Sequence, residues 1–274
     1  MKTGFLAAAY DCSDFLDKSL SPFILYSLKN NSKISVVHSC FQEFFDLGNP
    51  ILSKDGTHRK LTDYYNNGSI SYLNISDKPL SEAAARNLAL KPLLEAGCDT
   101  IILLDASDEL FTLKQIKEIV EYVENNPETN WFRLSLRNYY QTENQYLADL
   151  FTPPRIWKVD CPPFKLNSFN YDNNILFEYG TDKQLVDQNI LKNKTINIPI
   201  KHLSWLSNSR SRDKILYQNT RWSSDKKPTL NGDGCSYKWD ELTNSVQFNE
   251  IWFKKNKLPI PKVITESSTK GYKF

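Results

Sequence analysis

The chain has 274 residues, 40% hydrophobic and 24% charged, which suits one large domain or a domain with an appendage, and its formal net charge is only +2. That balance gives no argument for bulk nucleic-acid binding, and no apolar run approaches a membrane span. Cys12, Cys40, Cys98, Cys161 and Cys235 show no CxxC spacing, so neither a zinc site nor a disulfide framework is supported, and free thiols in a reducing cytosol are expected.

Gly4 to Tyr10 reads as a short apolar strand, because Asp11, Asp14 and Asp17 follow it too closely for a signal peptide. Phe15 to Lys29 has helical spacing, with a break expected at Pro22. Lys33 to Ser39 predicts a second strand, and Phe41 to Leu47 a short helix or turn. Gly48 to Gly68 reads as a long polar loop, and Ile70 to Ile75 as a third strand. Ser81 is the expected cap of a helix that Gly97 stops. Thr100 to Leu104 then reads as a strand buried on both faces, with Asp105, Asp108 and Glu109 at its carboxyl end. Three carboxylates there suggest a hard divalent cation, which takes oxygen ligands. Alternating strands and helices over the first 105 residues predict a nucleotide-binding α/β half-sheet, with neither GxGxxG nor a P-loop in it.

Beyond it, Leu113 to Asn125 reads as an amphipathic helix and Trp131 to Arg137 as a half-buried antiparallel strand. Arg155 to Val159 predicts a short strand, Cys161 to Asn174 a loop, and Leu176 to Tyr179 a strand followed by a helix to Leu191. Thr195 to Trp205 reads as a strand, Ser209 to Trp222 as a basic helix, Asp240 to Lys255 as a last helix, and the tail from Pro259 as loose.

Ala84-Ala85-Arg86-Asn87-Leu88-Ala89-Leu90 followed by Ile101-Ile102-Leu103-Leu104-Asp105-Ala106-Ser107-Asp108 resembles the A-A-R-N…D-x-D core of family 2-like, GT-A-fold glycosyltransferases. His202 and Trp205, followed by Arg210, Lys214 and Tyr217, resemble the His-x-x-Trp and basic helix that follow the core in bacterial and phage members. The resemblance spans residues 4 to 222 and implies an α/β GT-A-type fold, a mixed sheet flanked by helices with a C-terminal helical extension. The division it suggests is a catalytic domain over 1–205, with 1–109 the nucleotide half and 110–205 the acceptor half, and an extension over 206–274.

The resemblance implies a cytoplasmic hexosyl- or pentosyltransferase that uses Mn²⁺ or Mg²⁺ and a nucleotide sugar, most simply a UDP-sugar. Asp105, Asp108 and His202 would hold the metal. Ala9, Tyr10, Asp11, Arg86, Asp105, Arg210, Arg212 and Lys214 would bind the donor. Glu178 and Asp182 lie in the region where the family places its general base, which an inverting enzyme needs and a retaining one does not. The acceptor is left open by the resemblance: a surface glycan, a lipid-linked sugar or a hydroxymethylpyrimidine in DNA. Two departures stand out: Asp105 and Asp108 are one residue further apart than in D-x-D, and His38-Ser39-Cys40 offers no Asp at the end of the second strand, where Asp11 is the substitute.

Other readings fit the same residues. The acids after Leu104 can cap the next helix, Arg86 can make a structural ion pair, His202 can be a satisfied core histidine, and the basic helix can be a solvated face. At the level of function, the alternatives are a nucleotidyltransferase, disfavoured by the lack of a Gly-rich loop after the first strand, and an inactive nucleotide-sugar-binding scaffold.

Overall fold

A computed structural model describes residues 1–159, 193–224 and 227–266. In chain order its elements are β1 (Thr3–Ala9), α1 (Ser13–Asn30), β2 (Lys33–His38), α2 (Gln42–Asp46), α3 (Thr57–Asn66), β3 (Tyr72–Ile75), α4 (Glu82–Glu95), β4 (Thr100–Asp105), β5 (Glu109–Leu110) and α5 (Leu113–Glu124). There follow β6 (Trp131–Gln141), β7 (Gln145–Leu147), β8 (Pro154–Lys158), β9 (Asn193–Leu206), α6 (Ser209–Trp222), β10 (Tyr237–Asp240), β11 (Ser245–Phe248), α7 (Glu250–Lys255) and β12 (Val263–Thr265). The chain divides into two compact units, residues 1–135 with 152–200, and residues 136–151 with 201–274.

The first unit is a mixed α/β sheet flanked by helices. Its strand order is β3-β2-β1-β4-β8-β6, parallel from β3 to β4 and antiparallel where β8 and β6 join. Alternation along β1 sets the two faces. Leu6 joins a core with Ala85, Ala89, Leu90 and Leu93 of α4. Phe5 points the other way, edge-on to Phe23 of α1 at 4.9 Å between ring centroids. Helices on both faces are why Thr100–Leu104 is wholly buried and reads as an unbroken apolar run. The Ser81 hydroxyl accepts the Ala84 N–H at 3.2 Å, and Gly97 takes φ +73°, so both expected ends of α4 are in place.

In the second unit, β7 pairs with β12 and with the later part of β6, all antiparallel. The β10–β11 hairpin contributes Tyr237, Trp239 and Val246 to a core with Tyr140, Trp205 and Ile215. Trp205 stacks on Tyr237 at 4.0 Å, and Tyr140 on Phe248 at 4.6 Å.

Several local expectations are corrected. Pro22 does not break α1, because Leu16, Leu20, Phe23 and Ile24 hold one continuous buried stripe on either side of it. The stretch expected as a loop over 48–68 contains α3, anchored by buried Thr57 and Leu61. The helix expected over 240–255 is a hairpin followed by the short α7. There, Trp239 pairs with Val246 and Tyr237 with Phe248, whereas Leu242 at the turn is 97% exposed. The tail is not loose as far as residue 266, since β12 is paired. Residues from 206 onward therefore include three strands besides two helices. The strand, loop and helix expected over 161–191 lie outside the described residues. Among the described residues, Cys12, Cys40, Cys98 and Cys235 are buried and in no disulfide, and no helix is long and apolar enough to cross a membrane.

Candidate functional site at the carboxyl end of β4

The chain runs outward from β1 through β2 to β3, then returns to place β4 on the other flank of β1. That reversal is a topological switch point at the carboxyl ends of β1 and β4, the crevice position where open α/β sheets bind ligands. Ala8 is in register with Asp105, so Ala9, Tyr10 and Asp11 run out beside the acidic turn. Ser19 of α1 donates to the Ala106 carbonyl at 2.6 Å and ties that turn to the helix layer.

Asp105 is held between two guanidiniums. Arg86 Nη2 donates to its Oδ1 at 3.2 Å and pairs with Glu82 at 2.6 Å, one helical turn back on α4. Arg155 Nη2 donates to its Oδ2 at 2.9 Å. Arg155 also donates to Glu109 Oε1, from Nε at 3.0 Å and from Nη2 at 2.6 Å. The second Glu109 oxygen accepts the Asp105 N–H at 3.0 Å. The Glu109 side chain is 0% exposed, Arg155 9% and Asp105 28%, so the network runs from the interior to the surface and ends on Asp105. Burial pushes the Glu109 carboxyl up to about 7, opposed by Arg155. Burial works against the charge of Arg155 too, but Glu109 and Asp105 outweigh it and hold the guanidinium's pKa above its ordinary value.

Ala9, Tyr10 and Asp11 are turned to the chain's own segment 50–58. Buried His38 bridges the two: its Nδ1 lies 3.0 Å from the Ala9 carbonyl, and its Nε2 accepts the Ser53 N–H at 3.4 Å. The carbonyl fixes a proton on Nδ1, and Nε2, which accepts an N–H, carries none, so the ring is neutral. Burial lowers the His38 pKa in the same sense. Tyr10 donates its hydroxyl to the Pro50 carbonyl. The N–H groups of Asp11, Cys12 and Ser13 go to Ser53 Oγ at 2.9 Å, Thr57 Oγ1 at 2.8 Å and Asp55 Oδ2 at 2.9 Å.

His202, Arg210, Arg212 and Lys214 belong to the second unit. His202 Nδ1 bonds to Asn138 Oδ1, and its Nε2 lies 2.7 Å from Ser204 Oγ, which also accepts from Lys214. Lys214 Nζ lies 5.3 Å from the Trp205 ring centre. Arg212 pairs with Glu241 at 3.5 Å at the surface. Arg210 lies in the first turn of α6, and Glu178 and Asp182 lie outside the described residues.

Two residues of the expected metal set, Asp105 and His202, are engaged within the chain. Both oxygens of Asp105 face guanidiniums, and both nitrogens of His202 bond within the chain. Among the described residues no three His, Cys, Asp or Glu side chains are grouped to hold a metal ion. Asp108 is buried in the same turn, its N–H 3.3 Å from the Asp105 carbonyl.

Sequence reasoning placed Asp105, Arg86 and the acidic turn together and missed Arg155. Its only trace in the sequence was the arginine that opens the predicted strand Arg155 to Val159, where a buried arginine requires a carboxylate partner.

No protein-family model matches the sequence, and no curated protein matches it. Solved structures of similar fold include TarS 1–349 of S. aureus in complex with UDP, with 14% identity, TM-score 0.47, covering 93% of this chain and 70% of that one. Another TarS 1–349 structure matches at 12% identity and TM-score 0.48, over 80% of this chain and 64% of that one, so this chain spans less than two thirds of its length. GalNAc-T7 with UDP, GalNAc and Mn²⁺ matches at 11% identity and TM-score 0.49, over 82% of this chain and 49% of that one. These likenesses are of fold alone.

Proposed function

We propose that the chain is a glycosyltransferase that moves a sugar from a nucleotide-sugar donor to an acceptor hydroxyl. The observation that carries this is Asp105 at the β1/β4 switch point, oriented by Arg86 and Arg155 and open on one side to solvent. A carboxylate fixed in this way accepts hydrogen bonds from ribose or sugar hydroxyls without first having to be ordered. In the transfer, the acceptor oxygen attacks the anomeric carbon. The bond from that carbon to the distal phosphate breaks, and a nucleoside diphosphate leaves with the electron pair. The acceptor proton passes to a base, for which Glu178 and Asp182 are the candidates if the reaction inverts. Charge accumulating on the diphosphate calls for fixed cations.

The amides after β1 argue against nucleotidyl transfer. A triphosphate would be cradled there by backbone N–H groups, and those of residues 11, 12 and 13 are given to Ser53, Thr57 and Asp55.

The test is incubation with a panel of UDP- and other nucleotide sugars, with glycan and hydroxymethylated-DNA acceptors. Release of nucleoside diphosphate that depends on an acceptor supports the proposal, whereas pyrophosphate indicates nucleotidyl transfer. Donor binding with no turnover on any acceptor favours a scaffold. Salt-sensitive retention on DNA selects the DNA acceptor over a glycan.

A further inference from the structure

The end of β4 has the acidic composition of a cation site but the bonding of an ion-pair lattice. Glu82, Asp105 and Glu109 face Arg86 and Arg155 in one continuous chain, in which each guanidinium bridges two carboxylates. Arg155 lies on a strand hydrogen-bonded directly to β4, and Arg86 on the helix packed against the sheet, so both cations are delivered by rigid elements. The Arg155 side chain is covered and its partner Glu109 wholly enclosed, which makes this guanidinium a permanent part of the site. In the second unit, the ring nitrogens of His202 are likewise committed, to Asn138 and Ser204.

We infer that Arg86 and Arg155 occupy Asp105 in place of a divalent ion, so that sugar transfer at this site needs no metal. This rests on the glycosyltransferase reading for the reaction. The exclusion of the ion rests only on the ion pairs. Arg155 acts here as a positioning residue: it holds Asp105 toward the crevice and neutralises the carboxylate beneath it.

The experiment uses the full chain and Mn²⁺ itself as the probe. Free Mn²⁺ is followed by its electron paramagnetic resonance signal, and UDP affinity is measured by calorimetry in EDTA and again in Mn²⁺. The wild type is expected to leave the Mn²⁺ signal undiminished up to about 1 mM and to bind UDP within about twofold in the two conditions. Arg86→Gln and Arg155→Met, which each release one Asp105 oxygen, are expected to gain Mn²⁺ retention. If Arg155→Met does not fold, Arg86→Gln carries this arm, and a folded Arg86→Gln that gains nothing overturns the role given to the guanidiniums. Mn²⁺ binding by the wild type that Asp105→Asn abolishes overturns the inference outright. So does UDP binding at least about tenfold tighter in Mn²⁺ for the wild type and not for Asp105→Asn. If UDP binds in neither condition, it is the glycosyltransferase reading that fails, and the Mn²⁺ titration still decides the metal question.

Discussion

Arg155→Met removes the cation on which the site is built while keeping an unbranched apolar stem. Three hydrogen bonds from the guanidinium to Glu109 and Asp105 disappear, leaving Glu109 enclosed and facing an apolar chain. Deleting one partner of a buried pair costs about 3–5 kcal/mol, because the other charge stays desolvated. Glu109 can escape part of that cost by taking a proton. Burial already pushes its carboxyl up to about 7 against the opposition of Arg155, so losing Arg155 moves it higher. A carboxyl whose folded value lies above its unfolded one stabilises the fold below the unfolded value and loses that contribution as pH rises through the folded value. The variant should therefore be hurt more at pH 8 than at pH 6. Urea unfolding followed by tryptophan fluorescence at both pH values measures this. Adding Glu109→Gln, which keeps an oxygen for the Asp105 N–H, should restore part of the loss at pH 8. A loss below about 1 kcal/mol, or one of equal size at both pH values, would refute the reasoning.

Three further outcomes are expected. Thr57→Val strips the acceptor from the buried Cys12 N–H, which should cost about 1–3 kcal/mol and speed hydrogen exchange at that amide; unchanged protection would mean that Thr57 is not what holds the turn after β1. His38 is buried neutral with its pKa lowered, so its contribution is present above about 6.5 and is lost as pH falls and the unfolded chain takes a proton. His38→Asn should flatten the change in denaturant midpoint between pH 7.5 and 5.5, and an equally steep change would assign it to other groups. In the second unit, a Cβ on Gly234 would lie 2.3 Å from the Ser223 nitrogen and 2.7 Å from the Trp222 carbonyl carbon, so Gly234→Ala should cost about 1–3 kcal/mol. A melting curve identical to that of the wild type would contradict that packing.

The half-sheet was legible because its signals are local. The Thr100–Leu104 run, the Ser81 cap and the Gly97 stop each act within a few residues, and the structure keeps all three. What escaped depends on residues distant in sequence. Segment 50–58 reads as polar loop until Ser53, Asp55 and Thr57 are seen to satisfy the amides after β1, more than 40 positions earlier. Leu242 and Val246 have the spacing of a helix, and the competing two-residue alternation of Tyr237, Trp239, Val246 and Phe248 won because those four share one aromatic core. At the site, the sequence placed Asp105 and Glu109 correctly at the strand end but read their charge as a demand for a metal. Asp105 is paired with Arg155, 50 residues on and visible in the sequence only as the charge that opens the strand predicted over Arg155 to Val159. Structural ion pairing, one of the two readings open for Arg86, is present, in the same contact that orients Asp105.

The central claim is that the carboxyl end of β4 binds a nucleotide sugar through Asp105. Calorimetric titration of UDP into the wild type and into Asp105→Asn tests it most directly, because the substitution keeps the shape of the side chain and removes its charge. The wild type is expected to bind UDP and the variant to bind it about tenfold or more weakly, with the circular dichroism of the two proteins alike. Equal affinity in both proteins would contradict it.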